Sequence, residues 1–235
     1  MRERGILMSA PNVRAILSGT KTQTRRVWKM PRGCDWYSEM GGEHAGWFVD
    51  HGQPWWLHVT ESRCPYGAPG DRLWVRETWM DLRGTGIEPF TAARTHYAYG
   101  ADTPPGSYGD ECRKEYGLKW RPSIHMPRLA CRIVLEITEV RVERLQEISE
   151  ADAIAEGVHS DPRCRQDDDT SAFSRIGPMR HNSFPIARYA ALWDSINGKP
   201  HIQRDDAGRE ISRIMVDWNA NPWVWALSFR RIGDA

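Results

Sequence analysis

Paired cysteines are missing from this chain. Its five cysteines stand at positions 34, 64, 112, 131 and 164, an odd number without any Cys-x-x-Cys. That argues for free thiols in a reducing compartment rather than a disulfide framework. Long apolar runs are also missing, so no segment is expected to span a bilayer, and a soluble, cytoplasmic protein is the expectation. Charge of one sign is missing too. Thirty-two Lys and Arg face 31 Asp and Glu, for a net charge of +1. Any contact with a polyanion would have to be made by a local patch. There is no glycine-rich phosphate loop, no dinucleotide fingerprint and no internal repeat. A zinc set drawn from Cys34, His44, His58 and Cys64 matches no ligand spacing, so neither a metal nor a cofactor is expected. Tryptophan, by contrast, is abundant, with 12 residues in 235. Aromatic faces of this kind serve cores, and they also serve as platforms for stacking bases.

Two segments concentrate the chemistry. The first begins with Ser9 to Gly19, whose Pro11 suits a first helical turn and whose Gly19 suits a left-handed stop. Val13, Ile16 and Leu17 recur at helical spacing, giving one buried face. Lys21 leaves the helix, and the chain then extends. In a strand, Thr24, Arg26 and Trp28 share one face, and Arg25 and Val27 share the other. A bland alternative makes Lys21, Arg25 and Arg26 a solvated basic patch at a helix C-terminus, where cations are favoured.

The second segment is Gly70 to Trp79. Its alternation places Leu73, Val75, Glu77 and Trp79 on one face and Arg72, Trp74, Arg76 and Thr78 on the other. A carboxylate on the more apolar face is an unusual choice. Desolvation would raise its pKa unless a neighbouring cation pulled it down. The alternative is a buried ion pair, which is weak evidence for stability in itself. An amine, a hydroxyl and a lone buried carboxylate can carry out acyl transfer without a metal.

The remaining chain is expected to form one domain over 1–235 with insertions near 30–68, 81–120, 158–181 and 199–216. A first strand is expected near Arg4 to Met8. Arg132 to Thr138 alternates well, with a bulge or bend near Thr138–Glu139. Ser149 caps a helix stopped by Gly157, and a longer helix over 184–196 carries Ile186, Tyr189, Ala190 and Trp193 on one stripe. Residues 158–181, with three consecutive aspartates from Asp167, read as a loop, and 199–216 as a loop or hairpin. Trp223, Trp225, Leu227 and Phe229 share a face of a last strand. Strands and helices do not alternate regularly. The expectation is therefore an α+β fold, a small mixed barrel with about three flanking helices and long inserted loops, rather than a doubly wound sheet.

The pattern Gly19-x-Lys21-x-x-Thr24-x-Arg26, followed by Gly70-Asp71 leading to Glu77 and by Ile148 to Ala153 with Glu156-Gly157, resembles the ASCH domain family. The stretches Cys64 to Gly67, Ser123 to Arg128 and Asn221 to Trp225 are similar to larger phage-type members. The resemblance implies a PUA-like β-barrel. It also implies an amidohydrolase that removes the acyl group from 4-N-acetylcytidine, with Lys21, Thr24 and Glu77 in the catalytic positions and no cofactor. Thr24 would be the nucleophile, Lys21 would take its proton, and Glu77 would orient Lys21 or protonate the leaving amine. Arg26, Trp28, Arg76, His125 and Arg128 are the expected substrate contacts, and Lys21, Thr24 and Glu77 are expected to converge. The substrate would be a modified nucleoside or a nucleic acid. Two further readings are a non-catalytic RNA or single-strand binding module, with Arg25, Arg26, Arg76 and Arg128 on phosphates, and a ribonuclease. Trp36, Trp47, Trp55, Trp56 and Trp120 in the insertions would either wall the pocket or form a satellite core.

Overall fold

The structure is a computed structural model that describes residues 1–28, 45–50, 53–58, 64–85, 96–158, 184–204 and 210–234. The loop expected at 158–181, apart from Val158, lies outside these residues, as does Trp36. In chain order the elements are β1 (Glu3–Leu7), α1 (Ala10–Leu17), β2 (Gln23–Val27), β3 (Ala45–Asp50), β4 (Gln53–His58), β5 (Arg72–Arg76), β6 (Trp79–Asp81), β7 (Tyr97–Tyr99), α2 (Tyr108–Glu115), β8 (Ile133–Arg144), α3 (Glu150–Ala155), α4 (Phe184–Asn197), β9 (His201–Arg204), β10 (Glu210–Ile214) and β11 (Trp223–Asp234). Five strands form a mixed sheet in the order β1-β5-β8-β11-β2, and β3-β4, β6-β7 and β9-β10 are two-stranded antiparallel ribbons. The fold is α+β.

Two compact units divide the chain. The first holds Met1–Thr22, Tyr66–Glu139 and Ser228–Ala235, and the second holds Gln23–Pro65 and Val140–Leu227. In the first unit β1 runs parallel to β5, from Glu3↔Arg72 to Leu7↔Arg76, and β5 runs antiparallel to β8 from Arg72↔Glu136 to Trp74↔Val134. The period-two pattern of β5 decides its faces: Leu73 and Val75 are fully buried while Arg72, Trp74 and Arg76 are half-buried. A core of Trp79, Met126, Ala130, Cys131 and Val134, with Trp74, Tyr97, Tyr99 and Ile232 against it, forms within this unit.

The turn that sets Lys21 in place follows from local chemistry. Pro11 sits in the first turn of α1, where its missing N–H costs nothing. Gly19 takes φ +76°, and its N–H donates to Ile16 O at 3.1 Å. Thr20 N and Lys21 N then both donate to Ala15 O, at 2.9 and 3.0 Å. The last carbonyls of α1 thus fix the exit path of the chain. Phe229 N donates to Thr22 O at 2.8 Å, joining this exit to β11.

In the second unit α3 and α4 cover a core of Leu145, Ile148, Ala153, Tyr189, Ala190, Trp193, Trp218 and Val224. Ser149 caps α3, its hydroxyl accepting from Asp152 N at 3.1 Å, and Gly157 at φ +87° ends it. The stripe on α4 is the expected one, with Tyr189, Ala190 and Trp193 buried and Ile186 packed beside them. The segment around 199–216 is a hairpin, β9–β10.

Two expectations need correction. The 81–120 insertion contains a helix, α2, in addition to the three helices expected. Ser107 caps it, Asp110 and Glu111 occupy its first turn, and Arg113 and Lys114 its last. These are the charge positions that a helix dipole favours. β8 runs for 12 residues through Thr138–Glu139, where a bulge or bend was expected. In β11 burial is not confined to one face: Val224 and Ala226 are as buried as Trp225 and Leu227. Val224 meets the helix-covered core of the second unit, so this strand has no solvent face there.

Candidate active site

Lys21, Thr24 and Glu77 are all buried, with 3 %, 4 % and 1 % of their surfaces exposed. Lys21 and Glu77 belong to the first unit and Thr24 to the second. The solvated basic patch is therefore wrong. Lys21 is buried, and so is Arg25.

Glu77 follows β5 and continues its apolar face, as the alternation requires. Its backbone N–H points at Met126 Sδ, 3.2 Å away. Its two carboxylate oxygens accept from one guanidinium: Arg132 Nε to Oε1 at 2.8 Å and Arg132 Nη2 to Oε2 at 3.0 Å. The same Arg132 donates to Asp102, Nη1 to Oδ2 at 2.5 Å and Nη2 to Oδ1 at 3.0 Å. Its guanidinium also lies over the Tyr99 ring, 4.0 Å from the centroid. One cation thus holds two carboxylates in a plane and is itself stacked, a geometry that lysine could not supply. Tyr99 OH donates to Ala130 O at 2.8 Å. Arg14, on α1, donates to Ala101 O at 3.1 Å, so the turn bearing Asp102 is held from the α1 side as well.

The electrostatics of this cluster are opposed. Burial is the largest influence on Glu77 and raises its pKa above the ordinary carboxylate value, outweighing the hydrogen bonds and charge of Arg132 that lower it; Asp102 adds a small upward push. Burial works against the charge on Arg132, but its bonds to Glu77 and Asp102 more than compensate and keep it cationic. Burial likewise pushes the Tyr99 phenol up to about 12, against the pull of Arg132. The site therefore contains a carboxylate poised to exchange a proton beside a fixed positive charge. Such a group is a candidate for acid–base work.

The sequence did not single out Arg132, Asp102 or Tyr99. A carboxylate on an apolar face signals that some cation must meet it, but nothing in the pattern says which arginine. Asp102 and Tyr99 fall in the 81–120 insertion, read only as polar.

Arg25 shows what a buried arginine does elsewhere. On β2 it shares a face with Gln23, and its guanidinium donates to Glu143 Oε1 at 2.6 and 2.9 Å and to Gln23 Oε1 at 2.6 Å. Asp152 and Glu156 each approach it at 3.3 Å, and the Tyr189 ring lies 5.8 Å away. With three carboxylates and no exposure, Arg25 cannot bind phosphate, which corrects its place in the nucleic-acid reading. Thr24 and Arg26 point to the opposite face of β2 by the strand period.

Among the other expected contacts, Trp28 is buried and its N–H donates to Trp223 O at 2.9 Å. Arg76 donates to Ile124 O and lies 5.2 Å from the Trp74 ring centre. Gly5 permits this, since a Cβ there would stand 2.8 Å from Arg76 Cδ and 3.0 Å from the Trp74 ring. The Arg76 bond ties β5 to the 3₁₀ turn Ser123–His125, so Arg76 and His125 are brought into one neighbourhood. His125 is exposed. Arg128 is committed to Glu3, at 2.9 and 3.1 Å. Among the described residues no three of His, Cys, Asp and Glu are grouped to hold a metal ion. No family model, curated protein or solved structure matches the chain significantly.

Proposed function

We propose that this protein is a metal-independent amidohydrolase that removes an acyl group from a modified nucleobase, an N4-acylated cytosine nucleoside or nucleotide, on a PUA-like β scaffold. The observation that carries the proposal is Glu77, a carboxylate almost wholly removed from water, with a raised pKa and both oxygens fixed by Arg132. A structural ion pair would be served as well by apolar residues of similar volume. A tuned, immobilised carboxylate suits proton transfer, and Lys21, a buried amine, belongs to the same unit.

In the proposed reaction Thr24 Oγ adds to the acyl carbonyl carbon as its proton passes to Lys21 Nζ. The C–N bond breaks, and the exocyclic nitrogen of the base takes a proton from Glu77. Water then adds to the acyl-threonine, giving a proton back to Glu77. The ester C–O bond breaks, Thr24 Oγ recovers its proton from Lys21, and the free acid leaves. The sum is amide plus water to acid plus amine. Arg26 and backbone amides hold the negative oxygen of each tetrahedral intermediate, and Arg76 and His125 are assigned to substrate contacts.

The test is turnover of 4-N-acetylcytidine to cytidine, followed by ultraviolet absorbance. Lys21→Ala, Thr24→Ala and Glu77→Gln should each lower kcat/KM by at least about a hundredfold, and the losses should not add in combination, as for residues acting as one unit. Equal turnover by the wild type and all three variants would place the chemistry elsewhere.

A further inference from the structure

A cavity of about 460 Å³ opens in the first unit, and Glu77 is not among the residues that line it. That volume lies within the range of small-molecule sites. Its lining includes Asp81, Arg83, Thr85, Lys119, Trp120 and Arg121. One wall is the chain leaving α2, where Gly117 turns at φ +63° and residues 118–121 run on. The other wall is the end of β6 and the turn after it.

The walls are fixed before any ligand arrives. Arg121 N donates to Trp79 O at 2.8 Å and Trp79 N to Arg121 O at 3.2 Å, so the backbone of the first wall is bridged to β6. Leu118 N donates to Arg113 O and Arg113 Nη1 to Leu118 O, at 2.9 and 2.8 Å. Thr85 Oγ1 donates to Leu82 O at 2.7 Å, and Arg83 grips Asp81 with bonds of 2.6 to 3.1 Å. Rigid walls lower the ordering cost of binding.

The charges of the cavity are uneven. Its cations are Arg83, Lys119 and Arg121, against the single carboxylate of Asp81. Asp81 is already bound to Arg83. Lys119 and Arg121 are exposed, and neither is in an ion pair among the described residues. Between them in sequence stands Trp120, half-buried, with the Arg113 guanidinium 5.7 Å from its ring centre. Arg121 itself lies over the Trp79 ring, 5.3 Å from its centroid, and its charge adds to the bonds from Arg83 that hold the Asp81 carboxyl below its usual value. A flat indole between two exposed cations in sequence offers stacking and charge neutralisation at one place.

We propose that this cavity is a nucleoside phosphate site: the base stacks on Trp120, and Lys119 and Arg121 take the phosphate. The ligand is a free nucleotide or one residue of a single strand. The site stands independently of the deacylase chemistry, because none of its residues belongs to that machinery and its test is binding. Fluorescence anisotropy of a labelled oligothymidylate and isothermal titration with adenosine monophosphate read the two sources separately. The Lys119→Ala/Arg121→Ala double variant should weaken binding at least tenfold and flatten the salt dependence by about 0.7 log units per log salt for each cation removed. Trp120→Leu should weaken binding about tenfold without changing that slope. Arg230→Ala, at a surface arginine paired with Glu136, is the charge control and should bind normally. Binding of the oligonucleotide alone assigns a strand, and binding of the mononucleotide assigns a free ligand. The proposal fails if the wild type binds neither probe. It also fails if the Lys119/Arg121 and Trp120 variants, shown folded by thermal melts, bind as the wild type does, or if Arg230→Ala loses as much as the double variant.

Discussion

A single guanidinium decides the character of Glu77. The group sits between burial, which favours the protonated form and is the larger influence, and pairing with Arg132, which favours the ion. Because the folded-state pKa is raised, the folded state holds its proton more tightly than the unfolded chain does. The stabilisation this confers is complete below the unfolded value, near 4.5, and is lost as pH rises through the folded value. Glu77→Gln, a neutral isostere, has no such loss. Its melting temperature relative to wild type should therefore climb from pH 4 upward and level off once Glu77 is ionised in the folded protein. A difference that stays flat from pH 4 to 8 would show that Glu77 titrates as an ordinary carboxylate.

At the level of elements, β2 and α3 are joined by charge as well as by the apolar packing of Val27 against the core that holds Ala153. Arg25, on the strand, is shared by Glu143, Asp152 and Glu156, and Gln23 Nε2 donates to Asp152 Oδ1 at 3.0 Å. Arg25→Met removes the cation and leaves three carboxylates close together. The expected cost is about 3–5 kcal/mol, measured by urea unfolding near neutrality. Burial raises the pKa of Asp152, but Gln23, Arg25 and Ser149 together hold it below its usual value. Its contribution to wild-type stability is therefore present above the unfolded value and lost as pH falls. In the variant that contribution is gone, so the gap between the two proteins should narrow below about pH 4. A gap that widens in acid would contradict this account of the network.

The helices and strands with strong periodicity were legible in the sequence: α1 with its Pro11 and Gly19, the apolar face from Leu73 to Trp79, and the stripe of α4. The burial of Glu77 followed from the same alternation. The partners did not, because Arg25 and Arg132 look alike in a sequence, and only long-range pairing separates one shared by three carboxylates from one shared by two. α2 was missed because its apolar stripe is nearly absent; its only buried residue is Asp110. Helix propensity, the Ser107 cap and end charges, rather than a core face, make it a helix.

On the scale of the whole molecule, the chain passes between the two units after Thr22, Pro65, Glu139 and Leu227, and the last two passages fall inside β8 and β11. A strand cannot end in the middle without losing its ladder on both sides of the break. Thermal unfolding should therefore be a single transition, with tryptophan fluorescence and far-ultraviolet circular dichroism coinciding. Two separated midpoints would mean that the shared strands do not couple the units.

The interlaced order of segments also governs how the protein can be made. The first unit needs residues 228–235, including the Phe229 amide that meets Thr22, and the second needs residues up to Leu227. A ribosome delivers the segment from Met1 to Thr22 early and the strand that joins it late. Until then the apolar faces of β5 and β8 wait without their last neighbour. The first unit therefore completes its fold only after residues 228–235 have been made, and the apolar surface left open until then is prone to aggregate.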